Sequence, residues 1–534
     1  MPEKSLPGLW RRSVGLFFLV GTVFLWHRSG YLPAQPASPR SPWLPSLPAS
    51  LSLSYPASPT PFSPDLSASA SPTAQTPNTP TPPAPLLYYT QAGDTLLAIA
   101  ARFQLLPEDI LLPRQVSPTE LLDPGMALII PGYSTGFPAA QRLLPDSEVV
   151  HSPSAIGFDI AAYIARAGGY LSTYREYLRS TGWTSAAEIV ARVALENSVN
   201  PRLLLSLLEY QCGCVLGPLA EGVEADHLLG VNARLRQGLY RQLGWAVNQI
   251  SLGYYGWRNG LITELYFVDG EAFHLAPDLN AGSVALSYFF AQLYDYQDWR
   301  HALDPEQGFP ALHRRMFGDS WRRARSVEPL FPPGLTQPEL ILPFAPGQVW
   351  SYTSGPHKAW ETDGALAALD FAPASEKDGC VRSDAWVVAV ADGRVARAEH
   401  GAVILDLDGD GREQTGWAIL YMHVESRDRV AAGADLRAGD PIGHPSCEGG
   451  PASGSHLHIA RKYNGEWILA DGALPFVLDG WVVHAGYKPY EGTLTKGDLT
   501  IIANPYTPSQ TFISRPGEDL PAGRKFKRSL LWDE

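Results

Sequence analysis

At 534 residues the chain exceeds what one hydrophobic core supports and should hold two to four domains. Its hydrophobic share of 45% is that of a globular protein, so the 48 prolines must be concentrated somewhere. A net charge of -13, with no long Lys/Arg run to offset it, excludes nucleic acid as a partner and argues against binding to an anionic lipid surface.

Ser13 to Trp26 is uncharged and apolar and follows Arg11 and Arg12, the charge order of an export signal. Residues 1–28 are therefore expected to be a signal peptide or membrane anchor. The stretch is shorter than the ~20 residues of a usual spanning helix, so both options stay open, and any membrane contact is confined to this segment. Residues 29–86 are mostly Pro, Ser, Ala, Thr and Leu, which cannot bury a core and read as a disordered linker. The protein is expected outside the cytoplasm, secreted or anchored, with the linker as a tether through or along the cell envelope.

Residues 87–133 follow. A strand at Tyr88 to Thr90, a Gly93-Asp94-Thr95 turn with Asp94 or Thr95 as N-cap, a helix through Phe103, a second helix from near Pro107 and a strand at Ala127 to Ile130 predict a compact α+β (βααβ) unit. The GDT turn, the IA-x-x-F helix and the L-x-PG-x-x-L-x-IP ending closely resemble a LysM module. That resemblance implies binding to the N-acetylglucosamine-containing glycan of peptidoglycan or chitin.

Residues 150–335 carry apolar positions at helical spacing in Ala186 to Leu195, Leu203 to Leu208 and Val284 to Leu293, with Asn200-Pro201 as a helix start. The expectation is an all-α domain. SVNPRLLLSLLEYQCGCV is similar to the segment of lysozyme-like lytic transglycosylases that carries their catalytic Glu, but the matching position is Gln211. An amide cannot act as the general acid, and Glu209, two residues earlier, points elsewhere on a helix. The resemblance thus implies a degenerate, non-catalytic, lysozyme-like domain; a plain helical spacer fits the pattern equally well.

From 340 to 508 short β-like runs separated by Gly and Asp predict an antiparallel β domain: Ala385 to Val390, Arg394 to Ala398, Val403 to Leu407, Ala418 to His423 and His456 to Arg461. Residues 509–534 read as a C-terminal tail. Within the β domain, groups suited to metal and proton chemistry fall in three places: His357 with Asp370, His423 in LYMHV, and His456 with His458 in SGSHLHIA. On a strand His456 and His458 share a face, so one imidazole can bind a metal while its neighbour reaches a substrate. Two His, one Asp and a water complete a catalytic zinc site.

These motifs resemble the lysostaphin-like (LytM-type) zinc peptidases, in the β-lytic and staphylolytic branch, over His357 through Lys462. The resemblance implies an antiparallel sheet with one Zn2+ per chain in a groove, held by His357, Asp370 and His458, while His423 and His456 act on the substrate. It also implies an endopeptidase that cuts peptide cross-links or stem peptides of peptidoglycan. The wider family carries a His four residues before the Asp, where this chain has Leu366, so His357 must supply the ligand from a loop. The competing function is an inactive LytM-like regulator that recruits another wall hydrolase.

The four cysteines are even in number in an exported chain. Cys380 with Cys447 is the favoured pair, whereas Cys212 with Cys214 would close a very tight ring. Asp406, Asp408, Asp410 and Gly411 mimic the start of a calcium loop, but Trp417 stands where a bidentate Glu is needed, so a polar hairpin turn is expected.

Overall fold

The computed structural model describes residues 84–132, 140–360, 363–374 and 379–515. The predicted export segment and nearly all of the linker lie outside these residues, as does most of the tail. Among the described residues no helix is long and apolar enough to cross a membrane.

The first unit pairs Leu86–Tyr89 antiparallel with Ala127–Ile130, in register from Leu86 opposite Ile130. Thr95 caps the helix Leu96–Phe103 by accepting from the Ala98 amide. Asp94 is buried and accepts instead from Tyr88 Oη, the Gln91 amide and Arg102 Nη1. The second helix expected near Pro107 is only a 3-10 turn, Pro107–Asp109. The prolines at 113, 118 and 124 remove the amides a helix would need beyond it, so the unit is βαβ with one turn added. Tyr88, Ile99, Phe103, Leu122 and Leu128 form its own core. Arg102 Nη2 donates to the Trp257 carbonyl and so joins the unit to the helical region.

That region contains Ile160–Ala167, Ala186–Asn197, Pro201–Cys212, Leu239–Arg258, Ala281–Ala291, Tyr296–Ala302, Phe309–Phe317 and Ser320–Ala324. Ser185 and Glu188 form a capping box, and Asn200 caps the helix that Pro201 opens. The region departs from the all-α expectation through two antiparallel hairpins, Arg175–Leu178 with Gly182–Ser185 and Glu264–Tyr266 with Ala272–His274. Gly182 opens the second strand of the first hairpin and Gly270 lies in the turn of the second, both at positive φ, and glycine supplies that conformation without steric cost. Glu209 Oε2 accepts from the amides of Val215 and Leu216, so its carboxylate holds the turn after its helix. Cys212 and Cys214 are bonded to each other, a pairing the sequence had disfavoured.

The β region is built on a nine-stranded antiparallel sheet. Its strands run in the order Asp435–Leu436, Gly393–Glu399, Ala402–Asp406, Trp417–Met422, Leu457–Tyr463, Ala368–Pro373, Val349–His357 and Phe512–Ser514, and Glu466–Trp467 also pairs with Leu457–Tyr463. The edge strand Phe512–Ser514 falls in the stretch expected to be tail, so the sheet outruns residue 508. Of the run expected from Ala385 to Val390, only Val387–Val388 forms a strand. Side chains of alternate residues divide between two cores. Leu369, Phe371, Val403, Ile419, Tyr421 and Ile459 face a core made within the β region. Ala368, Ala402, Ile404, Ala418, Leu420 and Ala460 face the helices and share one continuous core with them. The small residues on that face let the helices approach closely, and removing water from so much apolar surface drives the packing.

Buried polar contacts fix the register of the two regions. Arg258 Nη2 meets Glu466 and Asp146 at 3.0 Å each, and Tyr254 donates to Glu466 at 2.7 Å. Trp467 Nε1 donates to the Asn197 carbonyl, and Asn464 Nδ2 to that of Leu330. Removing one member of the Arg258 network would leave a buried charge uncompensated, at a cost of about 3–5 kcal/mol.

Candidate metal and catalytic site

The central strands bring three potential ligands to one point. Leu457–Tyr463 pairs with Ala368–Pro373 so that His458 lies opposite Asp370. His357 ends its own strand, opposite Ala368, after two register shifts between Tyr352 and His357. Those bulges replace the loop the sequence suggested, turning the end of the strand so that its imidazole reaches the same point. Leu366 contributes its carbonyl to the Ala470 amide.

His357 Nε2 lies 3.0 Å from His458 Nδ1 and 3.3 Å from Asp370 Oδ1, and His458 Nδ1 lies 3.2 Å from the same oxygen. Ligand bonds of about 2.0–2.1 Å at tetrahedral angles place ligand atoms roughly 3.3–3.4 Å apart, close to this triangle. The proton positions agree with a cation site. His357 Nδ1 donates to the Gly355 carbonyl at 2.9 Å and His458 Nε2 donates to the Ala359 carbonyl at 3.0 Å. Each ring therefore turns a lone pair toward the shared point, and backbone acceptors fix the tautomers as they do for histidine ligands. Among the described residues Asp370 Oδ1 is buried without a hydrogen-bond donor. Two lone pairs and an orphaned carboxylate oxygen repel one another unless a proton or a cation sits among them, and this all-N/O donor set fits Zn2+.

Burial alone would raise the Asp370 carboxyl, but His357 and His456 beside it hold it well below the usual carboxylate range. Burial lowers His458, while Asp370 outweighs burial at His357 and raises it.

His423 and His456 stand beside the triangle, their rings 4.4 Å apart. His423 Nδ1 donates to the Glu448 carbonyl and His456 Nδ1 to the Gly454 carbonyl, at 2.8 Å each. Both Nε2 atoms are without a hydrogen bond among the described residues, so each ring offers an acceptor. His456 Nε2 lies 3.6 Å from Asp370 Oδ1. Burial, with His456 and His458 adding to it, pushes His423 down to about 3, so this imidazole is neutral at physiological pH. His423 adopts φ of +63° at the end of its strand, an unusual conformation for a residue with a Cβ. The Cys380–Cys447 disulfide braces the support of both rings. Cys447 adjoins Glu448, while Ser455 donates its amide to the Gly379 carbonyl next to Cys380.

All five residues line a groove of about 1140 Å³. The sequence did not reveal Tyr490, whose ring stacks on His357 at 4.6 Å and 21°. Tyr490 holds φ of +75°, and its backbone pairs with Gly355 and Pro356. A Cβ on Gly355 would lie 2.3 Å from the Glu491 carbonyl oxygen, so glycine permits this approach. Only contact across more than a hundred residues identifies Tyr490; no local motif does. The groove also takes a wall from the helical region, at Ser180, Arg192 and Tyr240.

The acidic turn and three further histidines of the β region lie outside the ligand triangle. Asp406 accepts from the amides of Asp408 and Gly411 within the turn joining two paired strands, in line with the expected polar hairpin. His444 packs on Trp386 and His484 meets Thr495, both away from the groove, whereas His400 lines it.

Residues 142–330 match the family model described as LasA, N-terminal domain. The chain is 26% identical over 358 residues to Protease LasA of Pseudomonas aeruginosa, an alignment covering 63% of this chain and 77% of that protein. Among solved structures, an M23 metalloprotease, pseudoalterin from the deep sea, is 21% identical with a TM-score of 0.27, covering 32% of this chain and 96% of that one. A zinc-containing peptidase from Vibrio cholerae is 18% identical with a TM-score of 0.19, covering 27% of this chain and 41% of that one. By sequence, then, the chain is similar to a bacterial protease over most of that protein's length, and its helical region carries that protease's N-terminal domain pattern.

Proposed function

We propose that this chain is a zinc-dependent endopeptidase that hydrolyses peptide cross-links or stem peptides of bacterial peptidoglycan outside the cytoplasm. The observation that carries this reading is the triangle of His357 Nε2, Asp370 Oδ1 and His458 Nδ1 beside two imidazoles with uncommitted Nε2 atoms. The similarity to Protease LasA supports the reaction class.

In this reading His357, Asp370 and His458 hold the ion, which supplies Lewis acidity to the scissile carbonyl and to water. His423, neutral and fixed by the Glu448 carbonyl, accepts a proton at Nε2. His456, fixed by the Gly454 carbonyl, delivers a proton to the leaving amine or stabilises the developing oxyanion from its own Nε2. These backbone carbonyls hold both rings in place before substrate arrives, which reduces the entropic cost of orienting them. The LysM-like unit supplies glycan affinity, and its attachment to the same chain concentrates wall peptide near the groove. The helical region, with the amide of Gln211 in place of a carboxyl and Glu209 committed to a turn, has no free general acid at either position and serves without glycosidase chemistry. The regulator alternative lacks support from the ligand set, which has no missing member.

The test is metal analysis with muropeptide digestion for the unmodified chain, His458→Ala and His357→Ala. Zinc at one ion per chain, lost in both variants together with at least about a thousandfold of hydrolysis, is expected. Equal zinc and equal activity in all three would reject the assignment, and zinc without cleavage of any wall preparation would favour the regulator.

A further inference from the structure

The two most exposed large hydrophobic side chains among the described residues are Tyr487, at 94%, and Tyr506, at 89%. They lie on separate loops of a small antiparallel sheet, Val477–Leu478, Trp481–Ala485, Gly492–Lys496 and Leu499–Ile502. Thr493 pairs with Ile502 and the Ala503 amide donates to the Gly492 carbonyl, so residues 486–491 and 503–508 leave the same end of that sheet. Each loop is fastened to Val349–His357: Tyr490 pairs by its backbone with Gly355 and Pro356, and the Asn504 amide donates to the Tyr352 carbonyl at 3.1 Å. Tyr490 and Pro505 line the groove, which sets Tyr487 and Tyr506 at its rim. Both loops are braced. The Gly486 amide donates to the Glu491 carbonyl at 3.0 Å, the Tyr506 amide donates to Asn504 Oδ1 at 2.9 Å, and Pro489, Pro505 and Pro508 restrict the backbone between. One exposed tyrosine is ordinary, but two on braced turns beside one groove make a prepared surface. The wall beside His423, Gly449 to Ser453, carries only small side chains.

We propose that Tyr487 and Tyr506 form a sugar-binding subsite that seats a pyranose ring of the glycan strand bearing the wall peptide. The polarised C–H bonds on one face of a pyranose settle on the electron-rich face of an aromatic ring, while the tyrosine hydroxyl meets the hydroxyl edge of the sugar. Tyrosine supplies this contact area at low conformational cost, because few side-chain torsions are fixed. Two separate rings, in place of one continuous apolar patch, suit such an amphipathic ligand better than an apolar protein face. The small side chains beside His423 leave room for a ligand broader than a peptide. This rests on the peptidase reading of the groove and names the second part of its substrate, which is glycan-linked peptide in preference to free peptide. The subsite belongs to the β region alone.

The experiment uses the full-length, zinc-loaded chain with His456→Ala and fluorinated tyrosine, so that fluorine NMR reads each ring without turnover. Tyr487→Phe and Tyr506→Phe assign the two signals. Two probes are titrated: a muropeptide that keeps its disaccharide and the same stem peptide with no sugar. The muropeptide should shift both signals in one saturable titration, and the bare peptide should leave them in place. Sugar held by the LysM-like unit moves the signals of Tyr88 and Tyr89 instead. With His456 intact, Tyr487→Ala and Tyr506→Ala should each cut the kcat/KM advantage of the muropeptide over the bare peptide about three- to tenfold, through KM, and the Phe variants should keep most of it. Unmoved signals, or equal shifts with both probes, would overturn the proposal, and the second result would assign the rim to the peptide. Should an alanine variant misfold, the fluorine titration decides. Failure of the peptidase reading shows separately, as absent cleavage of both probes by the chain with His456 intact, while the fluorine shifts stay readable.

Discussion

Two histidine clusters in this molecule use almost the same chemistry to opposite ends. In the helical region Ser206 donates to His313 Nδ1 at 2.8 Å, and His313 Nε2 faces Glu148 at 3.4 Å, a Ser-His-Glu order that on paper describes a hydrolase. Yet Ser206 is fully buried, His313 is 1% exposed, and Glu148 is also paired with Arg323 at 2.7 Å. Both ring nitrogens are committed, so the cluster is a sealed clamp among helices. In the groove each of His423 and His456 commits one nitrogen to a carbonyl and keeps the other. Residue type supplies the potential for chemistry; a spare lone pair facing an open volume turns it into a site.

Substitutions should separate the two clusters. The largest effect is expected for His423→Ala and His456→Ala, which should lower hydrolysis by about 10²–10⁴-fold with zinc retained and thermal stability little changed. Either variant losing its zinc would move that histidine into the ligand set. Glu148→Ala should leave the catalytic rate intact and lower stability by about 3–5 kcal/mol, because it strands His313 and Arg323, as denaturant titration would reveal.

The sealed cluster also has a pH signature. Burial alone would raise Glu148, but hydrogen bonds from His313 and Arg323 outweigh it and bring the carboxyl from 4.5 down to about 2. A depressed folded-state value means the stabilisation is complete above pH 4.5 and fades as pH falls toward about 2. The intact chain should therefore lose about 3 kcal/mol more than Glu148→Gln across that window. Parallel acid profiles for the two would place the carboxylate's contribution elsewhere.

Replacing Cys380 and Cys447 together by Ala should cost about 2–4 kcal/mol and reduce turnover while sparing zinc, since the bridge braces His423 and His456 rather than the ligands. Zinc loss matching the activity loss would contradict that division. The smallest change is expected for Ser206→Ala, about 1 kcal/mol of stability with activity unaltered. A fall in hydrolysis there would reveal traffic between the clusters that the geometry does not suggest.

Much of the chemistry was legible in the sequence because it rests on short-range rules. Alternation on a strand put His456 and His458 on one face, the pairing of Ser185 with Glu188 and the Asn200-Pro201 step marked helix starts, and the Gly-Asp-Thr turn announced a capped helix. These signals lie within a few residues, where covalent geometry and hydrogen bonding act directly. Errors arose where local preference was weak: the helix expected after Pro107 shrank to one turn, and two hairpins appeared in a region that read as all helix. There the balance is set by how each segment packs against its neighbours.

The amino-acid order by itself determined which residues could bind a metal or move a proton, since side-chain chemistry and strand periodicity travel with the chain. Only the tertiary structure decided that His357 reaches Asp370 through two bulges, that Tyr490 covers His357, and that Arg192 faces the same groove from another region. Those meetings join residues far apart in sequence. Their positions follow from burial of a continuous apolar core and from satisfying most of the buried polar groups along it, conditions that no short window of sequence encodes.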